Sequence, residues 1–406
     1  MSNKTMPADP STSRAATATL VLSCALVFLT QLGVTLYLPS LPAIAGALHL
    51  THERAALSLL AYFLGCAAPI LFWGAAADHF GRKPVLLFSL AIFGLASLAA
   101  AGAGDGDVFI AARLMQGIGA GGGSIIGRIL VRDGASGPLL ARNLSYLSFA
   151  FVSALGGGQF LGGLVEQYAN WQMEFYLLAG SSAVLMLAVL ATRMRVADKG
   201  IRHAHVASYL AVLRNTDFLR PMVAGALGYG ALIFLQEIGP AVFQHNLGLT
   251  ARQYGNIGLL LGLSYFIGSM LVNRLVLRTG NAALMRAGLQ LMCGAGCVLL
   301  AASLLWHQQQ TMMLALLLLI YCAVQLGQAM LFPNSMTTAL DAVKGQGSHA
   351  TALFGFALQL IATGIGSLAL VIPHEGYAPV ALLLICLTAA ALLLGASGAA
   401  RTVTNP

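Results

Sequence analysis

Long apolar stretches separated by short polar clusters run through the chain from Thr17 to Ser397. Each stretch holds roughly 20 residues, which is enough for a helix to cross a hydrocarbon core of about 30 Å. Because the stretches lack an alternation of apolar and polar residues, they favour helices over the strands of a membrane barrel. The pattern predicts twelve spans, at 17–41, 53–76, 84–101, 108–131, 139–164, 172–192, 218–243, 252–273, 282–305, 311–333, 347–372 and 377–398. We therefore expect an all-α integral membrane protein.

The longest polar connection, at about 193–217, lies at the midpoint of the predicted spans. The segment LTHERAALSLLAYFLG after span 1 is similar to LTARQYGNIGLLLGLSYFIG after span 7, which indicates an internal duplication. Two bundles around a central cavity suit alternating access. The predicted units are an N-terminal tail at 1–16, a six-helix bundle at 17–192, a linker at 193–217, a second six-helix bundle at 218–398 and a C-terminal tail at 399–406.

Composition and charge agree with a membrane protein. Apolar residues make up 58% of the chain and charged residues 8%, so a water-soluble globule is excluded. In the connections after odd-numbered spans the basic residues are Arg54 and Arg252, whereas most other lysines and arginines lie in the remaining loops and the tails. Basic loops stay in the cytoplasm, so both termini are expected there. This asymmetry accounts for the net charge of +8, and no nucleic-acid partner is needed.

The loop between spans 2 and 3, GAAADHFGRKPVLL at 74–87, carries the most specific motif. Its glycine and proline allow a tight turn between two helices, and its opposite charges lie at the membrane face. It resembles the signature G-x-x-x-D-x-x-G-R-[RK]-P of the major facilitator superfamily. An aspartate here can accept from free amides at a neighbouring helix N-terminus, and such a contact would favour one bundle arrangement over another. The matching residues are Gly74, Asp78, Gly81, Arg82, Lys83 and Pro84.

Span 4 carries two further motifs. Arg113 begins RLMQGIGAGGG, which resembles the superfamily pattern R-x-x-x-G-x-G. An arginine inside a span costs ~2.5–3.5 kcal/mol and usually faces a partner or water, and the resemblance implies that Arg113 tunes or relays protonation. A structural arginine whose charge reaches the outer end of the helix is the alternative. The span ends in GRILVRDG, which resembles the R-x-x-x-R-D ending of drug exporters. We therefore expect Asp133 to form a charge cluster with Arg82 and Asp78. Together with Gly74, Gly81 and Lys83, this cluster is expected to act as a conformational switch.

The chain further resembles the Bcr/CflA (bicyclomycin/chloramphenicol-resistance) type of twelve-span drug:proton antiporters. The resemblance rests on the span 4 ending and on TLYLPSLPAIA at 35–45, GQAMLFPNS at 327–335 and GSHATALFGFALQ at 347–359. Two positions depart from the pattern. Thr35 stands where many relatives carry an aspartate, and Gln159 stands in the place of a span 5 proline. A proton site on the first helix is therefore not expected, and the proline-imposed bend is not assured.

Glu237 is the acid that the pattern places well within a span, in ALIFLQEIGPAVF of span 7. A carboxyl group at this depth can bind and release protons, so Glu237 is the predicted coupling site together with Arg113. One proton moving down ~100 mV releases ~2.3 kcal/mol, enough to drive exchange against a modest substrate gradient. A position at a solvated outer mouth is the alternative for Glu237.

The predicted function is export of drugs or other small molecules from the cytoplasm in exchange for protons. A cavity for such substrates would be mostly apolar with a few polar groups, although helix packing is the commoner explanation for each single candidate. The substrate-binding candidates are Gln31, Gln116, Tyr229, Phe234, Gln236, Gln325, Phe332, Asn334 and Gln359.

Other classes of function fit the sequence less well. A dedicated exporter of a siderophore, sugar or amino acid is the nearest alternative. A membrane enzyme would need a nucleophile–base pair or H-E-x-x-H at membrane depth, and a channel would need a symmetric filter. ATP coupling would need a G-x-x-x-x-G-K-[ST] loop, which the chain lacks. We expect no enzymatic activity, cofactor or metal, and a monomer in the lipid bilayer of the bacterial inner membrane.

Overall fold

Helices make up nearly all of the computed structural model, which describes residues 10–135, 137–192, 211–305, 310–343, 347–372 and 376–399. No strand occurs within these ranges. Three short segments are not α-helical: Leu38–Ser40 and Ser367–Leu370 form 3-10 helices, and Ala241–Asn246 forms a π-helix. The α-helices are α1 (Pro10–Thr35), α2 (Leu41–Ala47), α3 (His52–Ala67), α4 (Ile70–Phe80), α5 (Arg82–Ala101), α6 (Gly106–Gly134), α7 (Gly137–Tyr168), α8 (Trp171–Ala191), α9 (Thr216–Pro240), α10 (Ala251–Thr279), α11 (Asn281–Leu305), α12 (Gln310–Asp341), α13 (Gly347–Gly366) and α14 (Ala378–Ala399).

Eleven stretches of helix among the described residues are long and apolar enough to cross a membrane, and there are twelve if α3 and α4 form one bent span. The predicted all-α membrane class is thus confirmed. Span 2 differs from the prediction of an uninterrupted segment, because α3 and α4 meet at an angle of 44°. Pro69 lies at this break, where its missing N–H and its ring prevent a continuous helix.

The ends of the predicted units differ from the structure in two places. Helix α1 already begins at Pro10, within the predicted tail 1–16, and a proline is well tolerated in the first turn of a helix. Helix α9 begins two residues before the predicted start at 218, because Asn215 caps it by accepting from the amides of Asp217 and Phe218. Most of the predicted linker and the C-terminal tail lie outside the described residues.

The helices pack as two groups. In the first group α6 packs against α1, α3 and α5, while α8 packs against α5 and α7 against α1. In the second group α12 packs against α9, α10 and α11, while α9 also contacts α13 and α14. The groups meet mainly where α7 contacts α10 and where α3 contacts α13.

Backbone meets backbone where α7 crosses α10. A Cβ atom added to Gly156 would lie 2.8 Å from the carbonyl oxygen of Gly258 and 3.1 Å from the Cα of Gly262. One added to Gly163 would lie 2.7 Å from the Ala251 carbonyl oxygen and 3.0 Å from the Cα of Gly255. Small residues permit such close approach between membrane helices. We call Gly156, Gly163, Gly255, Gly258 and Gly262 the glycine seam.

The two ends of the helix bundle can be told apart by their ion pairs. Arg82 pairs with acids at one end, which we call the Arg82 face, and Arg54 pairs with Asp107 at the opposite end, the Arg54 face. The glycine seam occupies the halves of α7 and α10 nearer the Arg54 face. Near this face Arg252 of α10 also donates to the Tyr168 hydroxyl at the end of α7, at 3.4 Å. The two helix groups are therefore closed against each other on the Arg54 face.

Candidate functional site

Arg82 joins two acids at the turn between α4 and α5. Its Nη1 lies 2.6 Å from Asp78 Oδ1, and its Nη2 lies 3.3 Å from Asp133 Oδ2 at the end of α6. Gly81 permits the turn, because its φ of 94° is a conformation that other residues rarely adopt. The side chain of Arg82 is only 10% exposed, so its charge is held close to these partners. The predicted cluster of three charges is present.

The partner of Asp78 differs from the one expected. A contact to free amides at a helix N-terminus was predicted, whereas the carboxylate accepts from Arg82, which lies one turn further along the chain. All three members of the cluster belong to the first helix group. Lys83 lies beside them and donates to the carbonyl oxygens of Leu190 and Thr192 at the end of α8. Gly74 lies inside α4, and a Cβ there would meet nothing within 4 Å.

Aromatic rings enclose the guanidinium of Arg113 in the middle of the first helix group. The residue is 0% exposed, so it does not reach solvent at the helix end. Its Cζ lies 4.1 Å from the ring centroid of Tyr37, 4.5 Å from that of Tyr62 and 5.9 Å from that of Phe175. Stacking of a cation on aromatic faces compensates part of its lost hydration. We call these four residues the arginine cage.

The hydrogen bonds of Arg113 are incomplete. Nη1 donates to the carbonyl oxygen of Gly33, at 3.0 Å, and to the side chain of Gln116. Nε and Nη2 are buried and have no hydrogen-bond partner among the described residues. A buried charge with donors left over can respond to a change in charge nearby.

Glu237 is a buried acid of the second helix group. It is 4% exposed, so the alternative of a solvated mouth position is wrong. One carboxyl oxygen lies 3.0 Å from the place that a Cβ of Gly366 in α13 would occupy, and Tyr37 of the cage interacts with the carboxyl electrostatically. Neither carboxyl oxygen has a hydrogen-bond partner among the described residues. Such a group is costly to hold as an anion, which favours its neutral form.

Sequence reasoning missed a second buried acid, Glu174 in the first turn of α8. Its exposure is 0%, and its Oε1 accepts from the hydroxyl of Ser40 at 2.5 Å. The predicted span began at 172, which placed Glu174 at a helix mouth rather than inside the bundle. The available signal was its position between apolar residues, directly before Phe175 of the cage.

The substrate-binding candidates do not form a single pocket. Gln236 and Gln325 line a small closed cavity together with Gln159, with room for about one water molecule. Tyr229 and Phe332 form a ring pair with centroids 6.4 Å apart. The others are placed separately: Gln116 is bonded to Ser97 and Arg113, Asn334 donates to its own helix, Phe234 and Gln31 are buried, and Gln359 is half-buried.

Arg128 lies between the two helix groups, toward the Arg82 face. Its side chain is exposed, yet it interacts electrostatically with Tyr229 of α9 in the other group. Tyr229 also interacts with Tyr265 of α10. The Tyr229–Phe332 pair therefore lies on the side of the second group that faces Arg128.

Two groups of membrane-spanning helices, each holding a buried ionisable residue, are the arrangement of a secondary transporter. A family model for the Major Facilitator Superfamily matches residues 23–367, and the chain belongs to that superfamily. Multidrug resistance protein MdtL of Shewanella sp. (strain ANA-3) is 26% identical over 334 residues, covering 82% of this chain and 83% of that protein. The Bicyclomycin resistance protein homolog of Haemophilus influenzae is 26% identical over 285 residues, covering 69% and 72%.

A solved structure extends the comparison to the fold. The xylose transporter XylE from E. coli, in a partially occluded inward open conformation, superposes with a TM-score of 0.74 over 94% of this chain and 97% of that one. Its sequence identity is 12%, so the likeness concerns the fold alone. Together these comparisons confirm the superfamily that the motifs at 74–87 and 113–123 indicated.

Proposed function

We propose that the protein is a proton-coupled antiporter that exports drugs or other small molecules from the cytoplasm by alternating access. The observation that carries the proposal is the buried, unpartnered carboxyl group of Glu237, whose charge acts on Tyr37 of the arginine cage. The two groups come from different halves of a chain whose relatives are named for drug resistance. A carboxyl group that gains or loses a proton there changes the electrostatic energy of closing the halves together.

The orientation follows from the positive charges. The Arg82 face would be cytoplasmic, as would both termini, in the inner membrane of a bacterium. The structure would then represent a state closed to the outside by the glycine seam. A monomer suffices, since both halves of the transport path lie in one chain, and no chemical conversion of the substrate is required.

Substrate would enter from the cytoplasmic side, past Arg128 and the ring pair of Tyr229 and Phe332. Aromatic surfaces bind flat apolar molecules without fixed hydrogen-bond geometry, which suits broad specificity. Gln236 and Gln325 lie in the half nearer the Arg54 face and would be reached after the halves move. The buried members Gln31, Gln116, Phe234 and Asn334 would then support these surfaces rather than touch substrate in the present state.

Reconstituted full-length protein in liposomes with an imposed pH gradient tests this function. The panel includes lipophilic cations, neutral antibiotics and metabolites such as sugars and amino acids. We expect release of protons when a drug is added, and drug movement that a protonophore stops. Flux independent of any ion gradient would contradict proton coupling, and flux limited to one metabolite would identify a dedicated exporter instead.

Asp78→Asn is expected to slow transport about five-fold and to leave membrane insertion unchanged. The substitution removes a pair with Arg82 that, at a largely exposed aspartate, is worth up to about 1 kcal/mol in the state that holds it. Initial rates of drug uptake into inverted vesicles measure the effect. Asp107→Asn, which breaks the pair with Arg54 at the other face, serves as the control. A parental rate in the Asp78 variant would remove the switch role.

A further inference from the structure

The hydroxyl group of Ser40 lies between two carboxyl groups near the Arg54 face. It donates to Glu174 Oε1 of α8 at 2.5 Å. The carboxyl group of Glu166, near the end of α7, interacts with this hydroxyl electrostatically. Ser40 and Glu174 are both 0% exposed, whereas Glu166 is half-buried. The two carboxyl groups interact electrostatically with each other. Ser40, Glu166 and Glu174 thus bring three separate segments of the first helix group close together.

Neither carboxyl group is fully satisfied. Glu174 Oε2 and Glu166 Oε2 are buried and have no hydrogen-bond partner among the described residues. The cation that acts on Glu174 is Arg113, whose Nη1 is already bonded to Gly33 and Gln116. The Tyr37 ring packs between Arg113 and Phe175 and adds no further charge. An anion at Glu174 would lack one hydrogen bond in a dry site, so the neutral, proton-bearing form fits this arrangement.

We propose that Glu174 is a second proton-binding group of the transport cycle, which exchanges its proton with the Arg54 face through Ser40 and Glu166. In the inward step Glu166 takes a proton from water. It passes that proton to the Ser40 oxygen while the Ser40 hydroxyl proton moves to Glu174, so the hydroxyl is restored and one proton has advanced. The reverse sequence returns it. This inference rests on the proposed function, because it supplies that function's external proton site.

Helix α1 contains no acidic residue, and Thr35 at its end donates its hydroxyl to the Ala154 carbonyl oxygen at 2.8 Å. Glu174 instead interacts with Arg113 from one side of the cage, and Glu237 acts on Tyr37 from the other helix group. A proton that leaves Glu174 is therefore compensated by the Arg113 guanidinium, whereas Glu237 acts on the cage through Tyr37.

Infrared spectroscopy of the full-length protein in lipid, without any drug, tests the proposal directly. At neutral pH we expect Glu174→Gln to remove the signal of one protonated carboxyl group, and Ser40→Ala to shift that signal, because its hydrogen bond is lost. Glu53→Gln, at an exposed glutamate in the first turn of α3, is the control and leaves the signal unchanged. A Glu174→Gln spectrum equal to the parental one from acid to alkaline pH overturns the proposal.

A kinetic measurement tests the role of Glu166 in proton transfer separately from proton binding at Glu174. Glu166→Gln is expected to slow exchange driven by an external pH step about a hundred-fold, as for loss of a positioned proton-transfer group, and to keep the infrared signal of Glu174. Parental rates in this variant would overturn the route through Glu166. If no panel compound is transported although Glu174 binds its proton, the proposed function fails while the proton site stands.

Discussion

Glu237→Gln is expected to reduce substrate-induced proton release to background. Glutamine has nearly the same shape, so it fits the space that the carboxyl group occupies, where one oxygen lies 3.0 Å from the place that a Cβ of Gly366 would take. It cannot bind or release a proton, so a pH gradient of one unit no longer supplies its ~1.36 kcal/mol to transport. Proton release into a weakly buffered solution on drug addition, followed with a pH-sensitive dye, measures the effect.

Drug binding should survive in the same variant, since Glu237 is buried and its neutral form is the one that the surroundings favour. Glu53→Gln controls for loss of a glutamate that is exposed. Parental proton release from the Glu237 variant would exclude this residue from coupling. Loss of both binding and proton release would instead mark it as a substrate contact.

Gly156→Leu is expected to hold the two helix groups apart at the Arg54 face and to reduce transport at least about ten-fold. The added side chain would meet the backbone of Gly258 and Gly262, which cannot move aside as a flexible side chain can. A cost of about 1.4 kcal/mol in the closed state already corresponds to a ten-fold shift in population. Spin labels at Ala169 and Arg252, in a variant without the native cysteines, should move apart.

Gly157→Leu is the matched control on the same helix, because a Cβ at Gly157 would meet nothing within 4 Å. It carries the same change in composition and helix propensity without the steric conflict. Equal label distances and equal rates in the two leucine variants would mean that the glycine seam is not the closing contact.

The sequence predicted the parts of the site that depend on short motifs or on the local pattern of apolar residues. The cluster of Arg82 with Asp78 and Asp133 follows from two short motifs, and the depth of Glu237 follows from its position within an apolar run. Period and hydrophobicity also indicated the spans, because a membrane allows few alternatives to a helix of sufficient length. Pro69 alone was a visible sign of the bend in span 2.

Contacts between segments that are far apart in the chain could not be predicted from the sequence. Glu174 is buried because Ser40 and the cage close over the first turn of α8, which a span boundary drawn from hydropathy cannot reveal. Gln159 was noted as the loss of a proline, yet its side chain donates to the Tyr254 carbonyl oxygen in the other helix group, at 3.0 Å. The residue in the proline position thus forms a hydrogen bond across the interface, which only the packing of α7 on α10 shows.

The residues of the glycine seam, which close the path, differ from the residues that would contact the substrate. Glycine offers no side chain to a cargo molecule, so the surfaces that shut the path and the aromatic surfaces around Tyr229 consist of different residues. Changes in the aromatic surfaces can therefore accumulate and admit new compounds while the energy of shutting stays the same. Substitutions around Tyr229 can therefore broaden the range of exported compounds without altering the helix contacts that close the transport path.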